Sequence, residues 1–131
     1  MLFRSDRPIR TLLPAAAAGA ERSGARIWSL AADGQGRWAS GDGNGLLRRW
    51  SATGESLGAP IQTGQGQVFA LVMRQGGRAV SGGSDGSLRF WGADGERLGG
   101  LTTAGGASVW GLVELANGEL LSAGQIGRAH V

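Results

Sequence analysis

The chain contains no cysteine, no tyrosine and no lysine, and its one histidine is His130. Without cysteine there is no disulfide framework, no thiolate metal site and no thiol nucleophile. That fits a reducing compartment, and a cytoplasmic location is expected. Without lysine, all 13 cationic side chains are arginine. Such an Arg-, Ala- and Gly-rich chain is what GC-rich coding produces, and a bacterial source is expected. No apolar run reaches the length of a membrane-spanning helix, so no membrane partner is expected. The acids are scattered, and no pair of them is placed by sequence for acid/base work.

A charge excess of one sign is also missing where it would matter. The net charge of +3 resides in residues 1–26, whereas residues 27–131 carry eight arginines against eight acids. A nucleic-acid surface needs clustered cations that release counterions. Here the signs interleave, and no nucleic-acid partner is expected.

What is abundant is glycine, 26 residues among 131. Its use is periodic. SGDGNGLLRRWSATGESLGA at 40–59 aligns without a gap on SGGSDGSLRFWGADGERLGG at 81–100, an offset of 41 residues. At that offset Ser40 meets Ser81 and Ser122, Trp50 meets Trp91, Gly45 meets Gly86, and Trp28 meets Phe69 and Trp110. Recurrence at fixed slots marks turn chemistry rather than low complexity.

Each period reads as four short strands. The first covers Arg26–Ala31, Gln67–Val72 and Ser108–Val113, runs of branched, aromatic and aliphatic residues too short for a helix. The second covers Arg37–Ser40, Arg78–Ser81 and Glu119–Ser122, and the third Leu46–Trp50 and Ser87–Trp91. Asn44-Gly45 and Asp85-Gly86 form the hairpin tips between them, because both positions tolerate positive φ. The fourth begins near Leu57 or Leu98. Four antiparallel strands in about 40–45 residues is the signature of a propeller blade. The fold class is therefore all-β: a partial β-propeller of four-stranded antiparallel blades. The blades are expected at about 26–63 and 67–104, with a partial one at 108–125.

Ser40 through Trp50 and Ser81 through Trp91 resemble the core of a WD40 repeat. The resemblance implies a circular propeller that serves as a protein-interaction platform without catalysis of its own. It also implies a buried hydrogen-bonded network of His, Ser or Thr, Asp and Trp in each blade. Two departures stand out. The Asp after the Trp is Ser51 or Gly92, and the Gly-His dipeptide before the first strand is Gly64-Gln65 or Gly105-Gly106. With the His absent, blade rigidity is expected to come from packing, and Asp85 and Asn44 are expected to serve their turns.

The two ends read differently. Residues 1–25 are expected to form a flexible arm, or a remnant outer strand with Phe3 in the Trp91 position. Their Arg-then-Leu-Leu-Pro-Ala-Ala-Ala-Ala-Gly-Ala order resembles a secretory signal, but the run is short and contains Pro14. Were residues 1–20 to act as a signal, the protein would be secreted or periplasmic. At the other end, Ile126-Gly127-Arg128-Ala129-His130-Val131 matches the translation of a common sequencing adapter, and residues 126–131 are read as a non-native tail.

Candidate partner-binding residues are Trp28, Phe69 and Trp110 on the first strands, with Trp38, Asp42 and Ser84 at positions that vary between copies. Against an interface role for the aromatics stands plain packing between blades. Ser40, Asn44, Gly45, Trp50, Ser81, Asp85, Gly86, Trp91 and Ser122 form the structural repeat. Arg48 and Arg89 are expected on solvated strand faces. Ser40–Gly45 superficially matches a calcium loop, but the twelfth position is Ser51 and the next copy has Gly83 for Asp42, so a hairpin turn is the reading. No catalytic residue, metal or cofactor is expected. The expected function is a non-catalytic protein–protein interaction scaffold, with protein partners and further blades of a longer chain. The alternative is the propeller region of a larger regulatory enzyme, a kinase, protease or NTPase.

Overall fold

The computed structural model describes residues 26–102 and 106–124, and the backbone of 129–130. The arm at 1–25, with its signal-like and strand-remnant readings, lies outside the described residues. So do 125–128 and 131 of the C-terminal segment.

Among the described residues eleven strands form three antiparallel sheets. The first sheet runs β1 (Ile27–Ala32), β2 (Trp38–Asp42), β3 (Leu46–Trp50), β4 (Ile61–Gln62). The second runs β5 (Val68–Met73), β6 (Ala79–Gly83), β7 (Ser87–Trp91), β8 (Arg97–Thr102). The third holds β9 (Val109–Glu114), β10 (Leu120–Gly124) and β11 (Ala129–His130), in the order β11-β10-β9. Within each sheet consecutive strands are neighbours, because short turns join antiparallel strands directly, the longest connection being the ten residues between β3 and β4. Gly45 at φ +85° and Gly86 at φ +84° close the second hairpin of the first two sheets. Asp42 Oδ1 accepts the N–H of Asn44 and of Leu46, each at 2.9 Å. Asp85 Oδ1 accepts the Ser87 N–H at 2.9 Å and the Ser87 hydroxyl at 2.7 Å.

The sheets stack face to face, with β1 packed on β5 and β5 on β9. One apolar cluster lies between the first and second sheets: Ala39, Leu47, Leu71, Met73, Ala79 and Trp91. A second lies between the second and third: Ala70, Val80, Leu88, Val109 and Leu112, with Phe90 against it. Burial of Leu47, Val68, Val80 and Val109 is complete or nearly so, and each such side chain contributes about 1.5–3 kcal/mol. No sheet is covered on both faces by its own strands, so the core exists only between sheets. Among the described residues no helix is long and apolar enough to cross a membrane.

Two expectations change. Arg48 is only 8% exposed rather than solvated. Arg89 is half-buried, and its Nη1 donates to the Thr63 carbonyl, tying the second sheet to the chain after β4.

The polar network is not lost with the histidine. Gln65 is fully buried, and its Nε2 lies 3.2 Å from Ser81 O, 2.8 Å from Ser87 O and 3.0 Å from Ser87 Oγ. Ser81 Oγ donates to Gln65 Oε1 and accepts the Trp91 indole N–H at 2.9 Å. An amide has both donors and acceptors and so can stand where an imidazole would. In the first sheet the Trp50 indole donates to Ser40 Oγ at 3.2 Å. Ser122 is buried at the matching slot of the third.

Candidate functional site

The three first strands share one irregularity. Ile27 pairs with Asp42 and Ser29 with Gly41, so Trp28 is an extra residue with no partner. Val68 pairs with Gly83 and Ala70 with Gly82, leaving Phe69 extra. Val109 pairs with Gly124 and Gly111 with Ala123, leaving Trp110 extra. Each aromatic is thus the bulged residue of its strand. A bulge re-aims its side chain out of the regular alternation. Here it turns the rings toward one another while Val68 and Val109 stay in the core.

The rings form a continuous row. Trp28 meets Phe69 edge to face, with centroids 5.4 Å apart at 85°. Phe69 stacks on Trp110 at 4.3 Å and 13°. Both are favoured aromatic geometries. Glycine makes the approach possible. A Cβ on Gly41 would lie 2.4 Å from Val68 Cγ1, and one on Gly82 would lie 2.7 Å from Val109 Cγ1. With no Cβ there, the next sheet's bulged strand comes close enough for its ring to touch the previous ring. Ser29 Oγ fixes the same seam by donating to Val68 O at 3.1 Å. The row is nevertheless open: Trp28 is 43% exposed and Trp110 53%, with Phe69 half-buried between them.

The remaining candidates divide. Asp42 and Ser84 sit at the same rim as the row but are engaged in turns. Asp42 is 8% exposed, and its carboxylate is committed to the Asn44 and Leu46 amides. Ser84 Oγ accepts the Gln67 N–H at 3.0 Å and donates to Gln65 O at 3.2 Å. Trp38 lies at the opposite end of its sheet, pairs with Trp50 across β2 and β3, and stacks on it at 5.3 Å and 18°. At that far rim the Asp33 carboxyl is held below its usual range, first by the N–H of Gln35 and then by Arg37. Among the described residues no group of three or more His, Cys, Asp or Glu is gathered to hold a metal ion.

Periodicity alone marked Trp28, Phe69 and Trp110. The bulge did not show, because it depends on how many residues oppose one another across two strands. Sequence reasoning did not find the close-approach role of Gly41 and Gly82, and it noted Gln65 without its bonding role. The signal for Gln65 was present: an amide in the slot where the repeat otherwise carries histidine.

No protein-family model and no curated protein matches the chain. Among solved structures it is similar to that of U3-55K, a WD40 β-propeller protein, with a TM-score of 0.67 and 22% sequence identity. The match covers 75% of this chain and 31% of that one, so the chain spans about a third of that structure's length. The fold is that of a WD40-like β-propeller.

Proposed function

We propose that this propeller segment is a non-catalytic, cytoplasmic protein-interaction module, and that the row Trp28–Phe69–Trp110 anchors its protein partner. One observation carries the reading: three bulges, one per sheet, aim three aromatic rings to a single shared and half-exposed row. Packing would place such rings inside a core, as it does Trp50 and Trp91. Exposed, rigid aromatics that bury large area at little entropic cost are what interface centres use.

The test is a displayed-peptide selection on the 131-residue chain, followed by calorimetric titration of the recovered peptides. Trp110→Ala and Trp28→Ala should each weaken binding by about tenfold or more, the scale of a hot-spot residue. The double variant binding as tightly as the parent, while still folded, would refute the assignment.

A further inference from the structure

Each seam between sheets joins two different faces. The second sheet meets the first through Leu71, Met73, Ala79 and Trp91, and meets the third through Val72 and Val80. Strand alternation puts these two sets on opposite faces. One period upstream, the first set falls on Leu30, Ala32, Trp38 and Trp50 of the first sheet. One period downstream, the second set falls on Val113 and Leu121 of the third. Among the described residues no sheet covers either of these outer faces. Leu30 is 61% exposed where Leu71 is 7%, and Val113 is exposed where Val72 is half-buried. The exposed leucine and valine are therefore the two halves of a seam that the chain already builds twice.

The outer faces carry no charge at these slots and keep the seam's volume. Met73 pairs with Ala79, and Ala32 with Trp38. Each face thus has one large and one small residue at this step, in exchanged order. Trp38 is held in place by its stack on the buried Trp50. One slot departs. Gly41 and Gly82 admit the branched side chain of the next bulged strand, Val68 or Val109. The third sheet has Ala123 at that slot, and Ile27 stands where Val68 and Val109 do. The Ala123 methyl would hold an incoming first strand further off than in either internal seam.

We propose that the outer face of the third sheet receives the outer face of the first sheet of a second copy of this chain, head to tail. The contact continues the two internal seams, slot for slot, across two chains. The two faces differ, so the interface is heterologous, and association continues beyond a dimer until a ring closes. This rests on the seam faces and not on the aromatic row, so either can fail alone.

Sedimentation velocity on the 131-residue chain, over a series of concentrations, reads the association. The average mass should rise with concentration. Leu30→Arg and Val113→Arg, both at exposed positions, each put an unpaired charge into one half of the seam. Each should weaken self-association about tenfold or more. Mixed together, the two variants should form a 1:1 dimer and stop there, because one keeps its third-sheet face and the other its first-sheet face. That dimer also shows that both variants fold. Ala123→Gly should tighten the association of the parent about tenfold by relieving the methyl. A chain monomeric at every concentration, single variants that associate as the parent does, no dimer on mixing, or an Ala123→Gly chain that associates no more tightly would each overturn the proposal.

Discussion

Replacing Gln65 by leucine tests whether an amide has taken over the stabilising role of an imidazole. The side chain is fully buried. Its two N–H hydrogens serve Ser81 O, Ser87 O and Ser87 Oγ, and its carbonyl accepts from Ser81 Oγ. Two hydrogens cannot fully satisfy three acceptors, so about three bonds are lost rather than four. At about 1 kcal/mol net for each, and with acceptors left buried, Gln65→Leu should cost about 2–4 kcal/mol. Leucine keeps most of the volume, so the loss reads polar satisfaction rather than a cavity. Urea unfolding followed by tryptophan fluorescence measures it, Trp91 being linked to the same network through Ser81.

Gln65→His sharpens the test. A neutral imidazole offers one donor and one acceptor, so it should retain part of the network and lose about 1 kcal/mol. It also introduces a group that titrates. To accept from Ser81 Oγ–H it must stay neutral, and burial depresses its folded pKa below the unfolded value of about 6.5. The unfolded chain then takes up the proton first. Stability is therefore present above about pH 6.5 and lost progressively as pH falls. The parent network contains no group that titrates in this window. A Gln65→Leu chain within about 0.5 kcal/mol of the parent would refute the reasoning, as would a Gln65→His chain with no added loss of stability below that pH.

Gly41→Ala should cost about 1–3 kcal/mol by overpacking, because the new methyl would meet Val68 Cγ1 at 2.4 Å. Gly111→Ala, whose methyl meets among the described residues only Ala123 Cβ, at 3.9 Å, should instead be neutral or gain up to about 1 kcal/mol; denaturation midpoints separate the two. Asp33 should contribute stability that is full above its ordinary value of 3.8 and lost as pH falls toward its lowered folded value. Acid titration of Asp33→Asn should lack that part of the acid-induced loss.

The third strands were legible to the residue, Leu46–Trp50 and Ser87–Trp91. A positive-φ glycine opens each and a buried tryptophan closes it, and both are local signals. The second strands run two residues further than expected, through Asp42 and Gly83. Their glycines look like turn residues but sit in strands, where the missing Cβ admits the next sheet. The fourth strand of the first sheet lies at Ile61–Gln62, later than Leu57. Ser56 makes only an isolated bridge to Trp50, and Leu57 donates to Arg49 O. The network around Gln65 is not legible from the residue's name, because an amide fills the slot by its donors and acceptor rather than as an imidazole. Matching the slot by donor and acceptor count recovers it.

One period thus yields two unlike seams, and the difference bears on where function resides. Between the second and third sheets, Phe90 and Val109 share an apolar seam. Between the first and second, an apolar cluster is joined by two arginines, Arg49 to Ala93 O and Arg89 to Thr63 O, whereas between the second and third Arg74 reaches Gly118 O and the Glu114 carboxylate at the rim. Carbonyl contacts hold the sheets in register without filling the space as a ring does. The strand framework tolerates either solution because backbone pairing within each sheet is the same. A slot whose backbone role is fixed can therefore change its side-chain chemistry without losing the blade. On this reasoning, the substitutions that distinguish one seam from the next are those best placed to differ in what they bind.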